Sequence, residues 1–433
     1  MSKRSVAPLL IGTFLLRTNS GAGTVVIGLF LAHLSAHLGH AITSLQVGLL
    51  AVVYFTTELL LSPLMGALSD RWGRQRFLVI GPILGLVVVT LFLFTPLTQP
   101  VPYLIGLQGL SGIASSMQVP AVLGYLADFT SDSSSRRMRI MSFYELATSG
   151  GIAAGVVVGG FAWDRFERFA FAILALIYVG VVVCMLLTPH IKQVIEHGSA
   201  RVLVTRYWRI IRSPRLFIFI PAWICIFALV GIWLSSQLTF VLATPVHDPN
   251  QLLMGSMSGH DGGRRVSFVL GAFALFFGLC LLFWAFFLNR VPRIVLMLAS
   301  IGGVYLACIA LTGINHRGLG NDYLFYIWIP VLMVGVFAET SFAPAALSYL
   351  ADLSEEVARD RGLLMGLYSV FLGLGQLLGN GLGGFFAHIW GFDGLVYLTI
   401  LLTSIALICL LILFRHDRRT LYIYKKATRQ IGT

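Results

Sequence analysis

Charged residues are scarce in this chain. Asp, Glu, Lys and Arg together make up 11% of the 433 residues, whereas 57% are hydrophobic. A soluble domain of this length needs a polar surface, so the composition excludes one. A chain that crosses a membrane many times needs apolar side chains on its lipid-facing surface instead. The composition therefore predicts an integral membrane protein with no room for a soluble domain.

Cysteines are few, and the motifs of common enzymes are missing. The five cysteines lie inside long apolar runs without the paired spacing of a disulfide framework or a metal site, and are predicted to be free: Cys184, Cys225, Cys280, Cys308 and Cys409. The sequence contains no phosphate-binding Gly-Lys loop and no nucleophile elbow, which argues against ATP-driven pumping and against catalysis. We therefore expect no enzyme activity, cofactor or metal.

Three histidines at the end of the first apolar run are the nearest approach to a metal motif. The spacing of His33, His37 and His40 could bring two imidazoles to one face of a helix, as metal sites require. Solvated histidines at the membrane interface are the favoured interpretation.

Apolar runs of about 20 residues, the length that crosses about 30 Å of hydrocarbon, recur along the whole chain. They predict an all-α integral membrane protein with 12 transmembrane helices. The first run follows Lys3 and Arg4, lacks a small-residue cleavage site, and is predicted to be a retained span. Spans 1 to 12 are predicted near 8–34, 45–66, 77–97, 102–128, 141–162, 169–188, 215–242, 267–288, 293–313, 323–352, 362–388 and 394–414.

The distribution of Lys and Arg predicts the orientation. Cytoplasmic loops of membrane proteins retain positive charge. With both termini in the cytoplasm, most of the 30 Lys and Arg residues fall in inner segments, and the outer segments hold only Arg165, Arg168, Arg264, Arg265 and Arg317. The net charge of +12 is thus explained by topology and attraction to anionic lipid, and it is no sign of nucleic-acid binding. We expect a multi-pass protein of the cell membrane.

The chain repeats itself. PAVLGYLADF at 120–129 returns as PAALSYLADL at 344–353, and the same offset of 224 pairs Gly151 with Gly375 and Gly155 with Gly379 without a gap. A parallel internal repeat is far more probable than chance similarity between two apolar helices. The glycines recur every four residues in spans 5 and 11, which allows close helix approach. The fold class is therefore two pseudo-symmetric six-helix bundles.

The repeat also divides the chain into domains. We predict an N-terminal bundle at 1–189, a cytoplasmic linker with an amphipathic segment at 190–214, a C-terminal bundle at 215–414 and a basic cytoplasmic tail at 415–433. The Gly-rich segment 244–265 is predicted to be a flexible outer loop.

The loop between spans 2 and 3 reads GALSDRWGRQRF, from Gly66 to Phe77. It resembles the signature loop of the major facilitator superfamily, and NRVPR at 289–293 resembles a degenerate second copy. Together with twelve spans and the repeat, the resemblance covers essentially the whole chain. It implies the fold of that superfamily and transport by alternating access. The positions that carry the motif are Gly66, Asp70, Arg71, Gly73, Arg74 and Arg76.

Charges at the inner ends of the spans can hold neighbouring helices together. Such a network can hold the outward-open arrangement and must loosen when the inner side opens. The alternative interpretation is plain topology charge. The predicted cytoplasmic gate consists of Gly66, Asp70, Arg71, Gly73, Arg74, Asp128, Arg137, Glu145, Asp352 and Arg361.

The family's packing implies that spans 1, 4, 7 and 10 line a central cavity between the halves. The polar and aromatic residues predicted to line it are Arg17, Asn19, Ser115, Gln118, Trp233, Ser236, Gln237 and Thr340. Charges inside spans usually face protein or water. Glu58 and Glu339 lie well inside the bilayer and are candidate proton carriers, because a carboxyl there can alternate between protonated and ionised forms. The alternative is a static partner for Arg17.

Two departures weaken a direct transfer of known exporter mechanisms. The antiporter signature of span 5 has a Pro where this chain has Val156, and the drug–proton antiporters carry an Arg in span 4 where it has Ile105. The leading hypothesis is a proton-coupled transporter of a small, partly apolar molecule, with export favoured. The alternatives are uptake of an organic anion clamped by Arg17, and a sensor or lipid-handling protein on the same fold. The expected partners are the small-molecule substrate, protons and membrane lipid, with the protein acting as a monomer.

Overall fold

Helices make up the regular structure of this protein. The computed structural model describes residues 5–37, 42–130, 134–190, 213–246, 248–287, 291–316, 322–356 and 361–431. Within these residues the only β feature is an isolated bridge between Asp248 and Gln251. In hydrocarbon a helix satisfies all its backbone hydrogen bonds internally. The predicted all-α fold is confirmed.

The helices follow the predicted spans. Spans 1 to 6 are Ala7–His37, Ser44–Trp72, Arg74–Phe92, Pro100–Phe129, Ser134–Phe166 and Ala170–Leu186. In the second half, span 7 is Pro214–Trp233 with Ser236–Ala243, span 8 is Gly262–Phe287, span 9 is Arg293–Asn315, span 10 is Asp322–Glu339 with Phe342–Glu356, and Arg361–Ile431 holds spans 11 and 12.

The described helices are long and apolar enough for twelve membrane crossings. Ten stretches in it are long and apolar enough to cross, and two of these, Arg139–Leu186 and Val370–His416, have 48 and 47 residues. At about 1.5 Å per residue, each is more than twice the length of one crossing of about 30 Å. The 3-10 turn Glu167–Phe169 divides the first, and Gly391, with φ of 61°, divides the second. The prediction of twelve transmembrane helices is confirmed.

Local chemistry fixes the ends of span 2. At its start, the Gln46 backbone N–H donates to the Thr43 hydroxyl, and the Thr43 N–H donates to the Gln46 side chain, which forms a capping box. At its end, Gly73 adopts a φ of 102°, in the left-handed region that favours glycine, and its N–H donates to the Ser69 carbonyl. This turn lets span 3 begin at Arg74 and directs the signature loop.

Spans 7 and 10 are interrupted, although each was predicted as a single span. In span 7, the Ser235 hydroxyl caps a new helix by accepting from the Leu238 N–H at 3.3 Å. In span 10, Thr340 and Ser341 separate two helices, so Glu339 is the last residue of the first one. Ser and Thr fit both a helix interior and a cap, so the sequence alone did not predict these breaks.

The two copies of the repeat make the same local contact. A Cβ atom on Gly151 of span 5 would lie 2.6 Å from the Phe14 carbonyl oxygen of span 1. A Cβ atom on the matching Gly375 of span 11 would lie 2.9 Å from the Ile224 carbonyl oxygen of span 7. Glycine thus lets span 5 touch span 1, and span 11 touch span 7. The predicted close approach at these glycines is confirmed.

The chain groups into two compact units. One consists of Met1–Glu196, Ile232–Leu275 and Asn380–Phe392, and the other of His197–Gly231, Phe276–Gly379 and Asp393–Thr433. The first unit therefore joins spans 1 to 6 with one end of spans 7, 8 and 11. We call that end of the molecule the outer side, following the orientation predicted from the sequence.

The loop after span 7, predicted to be flexible, is tied to its surroundings. The backbone N–H groups of Gly255 and Met257 donate to the carbonyls of Val241 and Leu242 at 3.0 and 2.8 Å. The Gln251 amide donates to the Trp390 carbonyl at 3.0 Å. The described loop is therefore a cap built on the end of span 7.

Candidate functional site

Glu58 lies inside span 2, at a point where span 4 comes very close. A Cβ atom on Gly112 of span 4 would lie 2.5 Å from the Tyr54 carbonyl oxygen and 3.2 Å from the Glu58 nitrogen. Only glycine permits this contact, since any side chain would collide with the span 2 backbone. Ser115, almost one helical turn after Gly112, is thereby placed beside the Glu58 carboxylate, and its hydroxyl donates to Oε1 at 2.6 Å.

The Glu58 carboxylate has further polar neighbours. The Tyr54 side chain and the charge of Arg17 in span 1 are both close enough to act on it. The buried Nε of Arg17 has no hydrogen-bond partner among the described residues. Arg17, Tyr54, Glu58 and Ser115 form what we call the N-half charge cluster.

This cluster can change its proton content without changing its shape. Hydroxyl groups rotate and can either donate or accept, so Ser115 and Tyr54 can serve both an ionised and a protonated Glu58. Arg17 is permanently charged and compensates the ionised form. A carboxyl inside a span with such partners is a candidate for proton relay. Glu145, predicted as a gate residue, lies exposed on span 5 and close enough to interact with Arg17.

Glu339 has a different environment. Gly303 of span 9 packs against it, since a Cβ atom there would lie 2.7 Å from the Glu339 nitrogen. Cys308 is also close enough to sense its charge. Within the described part of the chain, no hydrogen bond or ion pair to the Glu339 carboxylate is present. An aromatic cluster lies nearby. The Phe337 ring centroid is 5.1 Å from the rings of Phe283 and Trp284.

Several residues predicted to line the cavity make contacts within their own half. Asn19 is buried and donates to the Leu174 carbonyl of span 6 at 3.1 Å. Gln118 packs on Gly81 of span 3, and a Cβ atom on Gly81 would lie 2.6 Å from the Gln118 Cγ. Thr340 is buried and donates to the Phe337 carbonyl at 2.8 Å. These contacts explain how the three polar side chains are tolerated inside spans.

Predicted cavity residues in span 7 lie around its break. Trp233 packs edge-on against Phe392 at 5.9 Å, and Ser236 is half-buried. Gln237 is 2% exposed, and neither its oxygen nor its nitrogen has a hydrogen-bond partner among the described residues. A buried amide without partners is unfavourable by about 1–3 kcal/mol per group, so this side chain is suited to meet a polar ligand or water.

The predicted gate centres on Arg74. Its guanidinium lies 2.9 Å from Asp70 and 3.2 Å from Asp128, and so joins span 2 to span 4. Gly124 leaves room for it, because a side chain there would overlap Arg74. Arg71 is exposed. Gly66 faces Pro120 of span 4, whereas the side chains of Arg137, Asp352 and Arg361 lie outside the described residues.

The three histidines at the end of span 1, for which solvated positions were favoured over a metal site, are only partly within the described residues. His33 is exposed and packs against Trp163 at 5.8 Å. The side chains of His37 and His40 lie outside the described residues, and those described contain no group of three or more His, Cys, Asp or Glu that could hold a metal ion. All five cysteines are free, as predicted.

One contact missed by sequence reasoning joins spans 5 and 8 on the outer side. The Asp164 carboxylate accepts from the backbone N–H groups of Gly263 and Arg264, each at 2.8 Å, and so caps span 8. The Ser267 hydroxyl donates to the Val156 carbonyl at 2.9 Å. No local pattern marks these partners, which are 99 or more residues apart.

Glycines bring two further pairs of spans together on the same side. A Cβ atom on Gly48 of span 2 would lie 2.7 Å from the Cα of Gly384 in span 11. A Cβ atom on Gly28 of span 1 would lie 2.6 Å from the Cβ of Thr239 in span 7. We call these contacts, together with the Asp164 cap, the outer junction. It holds three spans of the first half against three of the second.

Comparison with known proteins identifies the family. The sequence profile of the Major Facilitator Superfamily matches residues 9–261 and 252–430, which together cover nearly the whole chain. The chain belongs to this superfamily. The second match covers the half in which the signature loop is degenerate, so both copies of the repeat belong to the superfamily fold.

Relatives with partial similarity are named for multidrug efflux or for multidrug resistance. A segment of 111 residues is 34% identical to the multidrug efflux pump LfrA of Mycolicibacterium smegmatis and covers 26% of this chain and 21% of that pump. A segment of 137 residues is 32% identical to multidrug resistance protein 1 of Bacillus subtilis and covers 30% of this chain and 34% of that protein. The chain thus aligns with about a fifth to a third of the length of these curated relatives.

Solved structures of the superfamily fold match over nearly the whole chain. The nucleoside transporter NupG superposes with a TM-score of 0.72 at 15% identity and covers 96% of this chain and 99% of that one. A POT family transporter superposes with a TM-score of 0.68 at 14% identity, and covers 96% of each chain. At such identities the likeness concerns the fold alone.

Proposed function

We propose that this superfamily member is a secondary transporter that moves a small, partly apolar molecule by alternating access, coupled to protons, with export favoured. The observation that carries the proposal is the N-half charge cluster, in which Glu58 accepts from Ser115 with Tyr54 and Arg17 close enough to act on it. The partial similarity to a protein named as a multidrug efflux pump supports export. Glu339, without a partner in the described residues, is the second candidate carrier of a proton.

Alternating access is supported by the outer junction. Its contacts depend on bare glycine backbone and on one buried carboxylate, so they are specific to one arrangement of spans. Separating spans 5 and 8 would expose two backbone N–H groups to water, which can replace Asp164 as acceptor. The junction can therefore open reversibly. On this proposal the Arg74 bridge to Asp70 and Asp128 is part of the corresponding gate on the inner side.

We further propose that the protein works as a monomer in the cell membrane with both termini in the cytoplasm. The predicted boundaries, 1–189 and 215–414 for the bundles, 190–214 for the linker and 415–433 for the tail, are part of this proposal. The linker between 190 and 214 lies largely outside the described residues.

A second candidate function is uptake of an organic anion. It is favoured by the buried Arg17 Nε, which has no hydrogen-bond partner in the described chain. A guanidinium with free donors binds a carboxylate strongly and with defined geometry. In this case Arg17 would bind the substrate carboxylate, and the nearby Glu58 would modulate the strength of that binding.

Purified protein in liposomes separates these functions. The probes are ethidium, a partly apolar cation, and carboxyfluorescein, an organic anion. Wild type should accumulate ethidium against its gradient when a pH gradient is imposed. Glu58→Gln and Glu339→Gln, which keep shape but fix the neutral state, should exchange ethidium between equal pools yet fail to accumulate it. Accumulation by both variants would rule out coupling through these carboxyls, and selective transport of carboxyfluorescein would favour the anion carrier.

A further inference from the structure

A groove opens on the outer side between the loop after span 7 and the start of span 8. Its volume is about 490 Å³, and it is lined by Ser256, Met257, Arg264, Arg265, Phe268 and Val269. All six residues belong to one compact unit. None of them belongs to the N-half charge cluster or to the predicted gate.

Both walls of the groove are fixed. The loop wall is held to the end of span 7, since the Met257 N–H donates to the Leu242 carbonyl at 2.8 Å. The helix wall is held by Asp164, which caps span 8 at Gly263 and Arg264. The groove is therefore a built feature of the fold, and its shape does not depend on an unanchored loop.

The charge of the groove is only partly compensated. Arg264 lies 3.5 Å from Asp261 and 3.7 Å from Asp164. The Arg265 side chain is exposed, and no hydrogen bond or ion pair joins its guanidinium to another described residue. The lining contains no acidic side chain. Arg265 therefore gives the groove a positive side chain that no described carboxylate pairs, and this side chain suits an anionic ligand.

The floor of the groove continues into the lipid-facing surface of span 8. Phe268 is 78% exposed, and it lies three residues after Arg265, on the same face of the helix. The exposed apolar face then runs along the helix through Leu275, Leu279 and Leu282. Arg265 thus stands where this hydrocarbon-facing stripe ends, at the level where phospholipid head groups lie.

We propose that this groove binds an anionic phospholipid of the outer leaflet. Arg265 contacts the phosphate, Arg264 adds to the positive field, and Phe268 and Val269 contact the upper part of the acyl chains. A free phosphate ion would satisfy Arg265 but would leave Phe268 uncovered. The groove offers a positive side chain and an exposed apolar ring next to each other, so a lipid with an anionic head group and acyl chains matches both. The proposal depends on the membrane topology and not on transport.

Native mass spectrometry of the full-length protein tests the proposal. Wild type is titrated with phosphatidylglycerol or phosphatidylcholine, and the matched control is Arg165→Gln, which removes an exposed outer arginine at the end of span 5. The tightest phosphatidylglycerol should bind about fivefold more weakly to Arg265→Gln, because one cationic side chain near an anionic surface contributes about 1 kcal/mol. Arg165→Gln and the charge-preserving Arg265→Lys should bind as wild type does.

Two further measurements complete the test. Phe268→Ala should weaken phosphatidylglycerol binding, and inorganic phosphate should not displace the lipid at equal concentration. The proposal is overturned if wild type does not prefer phosphatidylglycerol to phosphatidylcholine, or if Arg265→Gln and Arg165→Gln bind it equally. Displacement by inorganic phosphate would overturn it too, since the site would then recognise a free anion. Size-exclusion chromatography of each variant checks that the fold is kept.

Discussion

Removing the Asp164 carboxylate should open the outer junction. The Asp164 side chain is 2% exposed, and its two oxygens accept from the Gly263 and Arg264 backbone N–H groups at 2.8 Å. Loss of a helix cap is worth about 0.5–2 kcal/mol, and hydrogen bonds to a charged group about 1.5–3 kcal/mol each. When the spans separate, water replaces Asp164 as the acceptor for these N–H groups, so only part of this free energy favours the closed junction. We therefore expect Asp164→Ala to destabilise the closed junction by about 2 kcal/mol.

A change of about 2 kcal/mol shifts the equilibrium between closed and open junction about thirtyfold. Ser267→Cys is a suitable reporter, because Ser267 is 1% exposed and lies against Val156 within the junction. It is introduced after the five native cysteines are replaced by alanine. The rate of labelling by a membrane-impermeant maleimide from outside should rise by at least tenfold in Asp164→Ala, provided that reagent access follows the open fraction.

Arg264→Gln is the matched control for this experiment. This variant removes the ion pair to Asp164 but leaves the hydrogen bonds of the Asp164 carboxylate to the backbone. The ion pair has an N···O distance of 3.7 Å, and the Arg264 side chain is 54% exposed. Such an exposed pair is worth about 0–1 kcal/mol, so the labelling rate should rise less than about fivefold. An unchanged rate in Asp164→Ala, or equal rates in both variants, would refute the assignment of Asp164 as the cap that holds the junction closed.

Three further predictions follow from the packing and the charges. Gly155→Ala should lower the thermal unfolding midpoint by several degrees, because the added Cβ would overlap the Thr18 carbonyl of span 1. Gly150→Ala is the control and should leave the midpoint unchanged, because its Cβ would lie 3.9 Å from the nearest atom, on the Phe14 ring. Asp70→Asn weakens an ion pair to Arg74 and should raise cysteine accessibility on the inner face; unchanged accessibility with normal transport would remove Asp70 from the gate. Arg17→Gln should abolish binding of carboxyfluorescein if the protein carries organic anions, and equilibrium dialysis measures this directly.

Patterns local in sequence predicted much of this structure. The apolar runs predicted twelve crossings, and the repeat predicted that Gly151 and Gly375 would permit the same close contact. The signature loop placed Asp70, near the end of span 2, four residues before Arg74, which begins span 3, and the two side chains form an ion pair. Each of these features depends on residues close together in the sequence or on a pattern that the chain repeats, which is why the sequence carries them.

Contacts that depend on backbone groups of distant segments could not be predicted from the sequence. Asp164 accepts from N–H groups that any residue could supply, so neither partner has a distinctive side chain. The loop 244–265 has the composition of a flexible segment, yet backbone hydrogen bonds to span 7 and the Gln251 contact with Trp390 hold it. Likewise, the tie between Asn19 and Leu174 depends on the packing of spans 1 and 6.

Proton movement driven by the transported molecule tests the central proposal most directly. Liposomes with wild-type protein and a trapped pH-sensitive dye are kept at equal pH on both sides, and ethidium is added outside. Coupled exchange predicts that the internal pH rises as ethidium enters, and that Glu58→Gln, although it still exchanges ethidium between equal pools, gives no rise. Ethidium entry without any change of internal pH in wild type, or an undiminished rise in both Glu58→Gln and Glu339→Gln, would contradict proton coupling through these carboxyls.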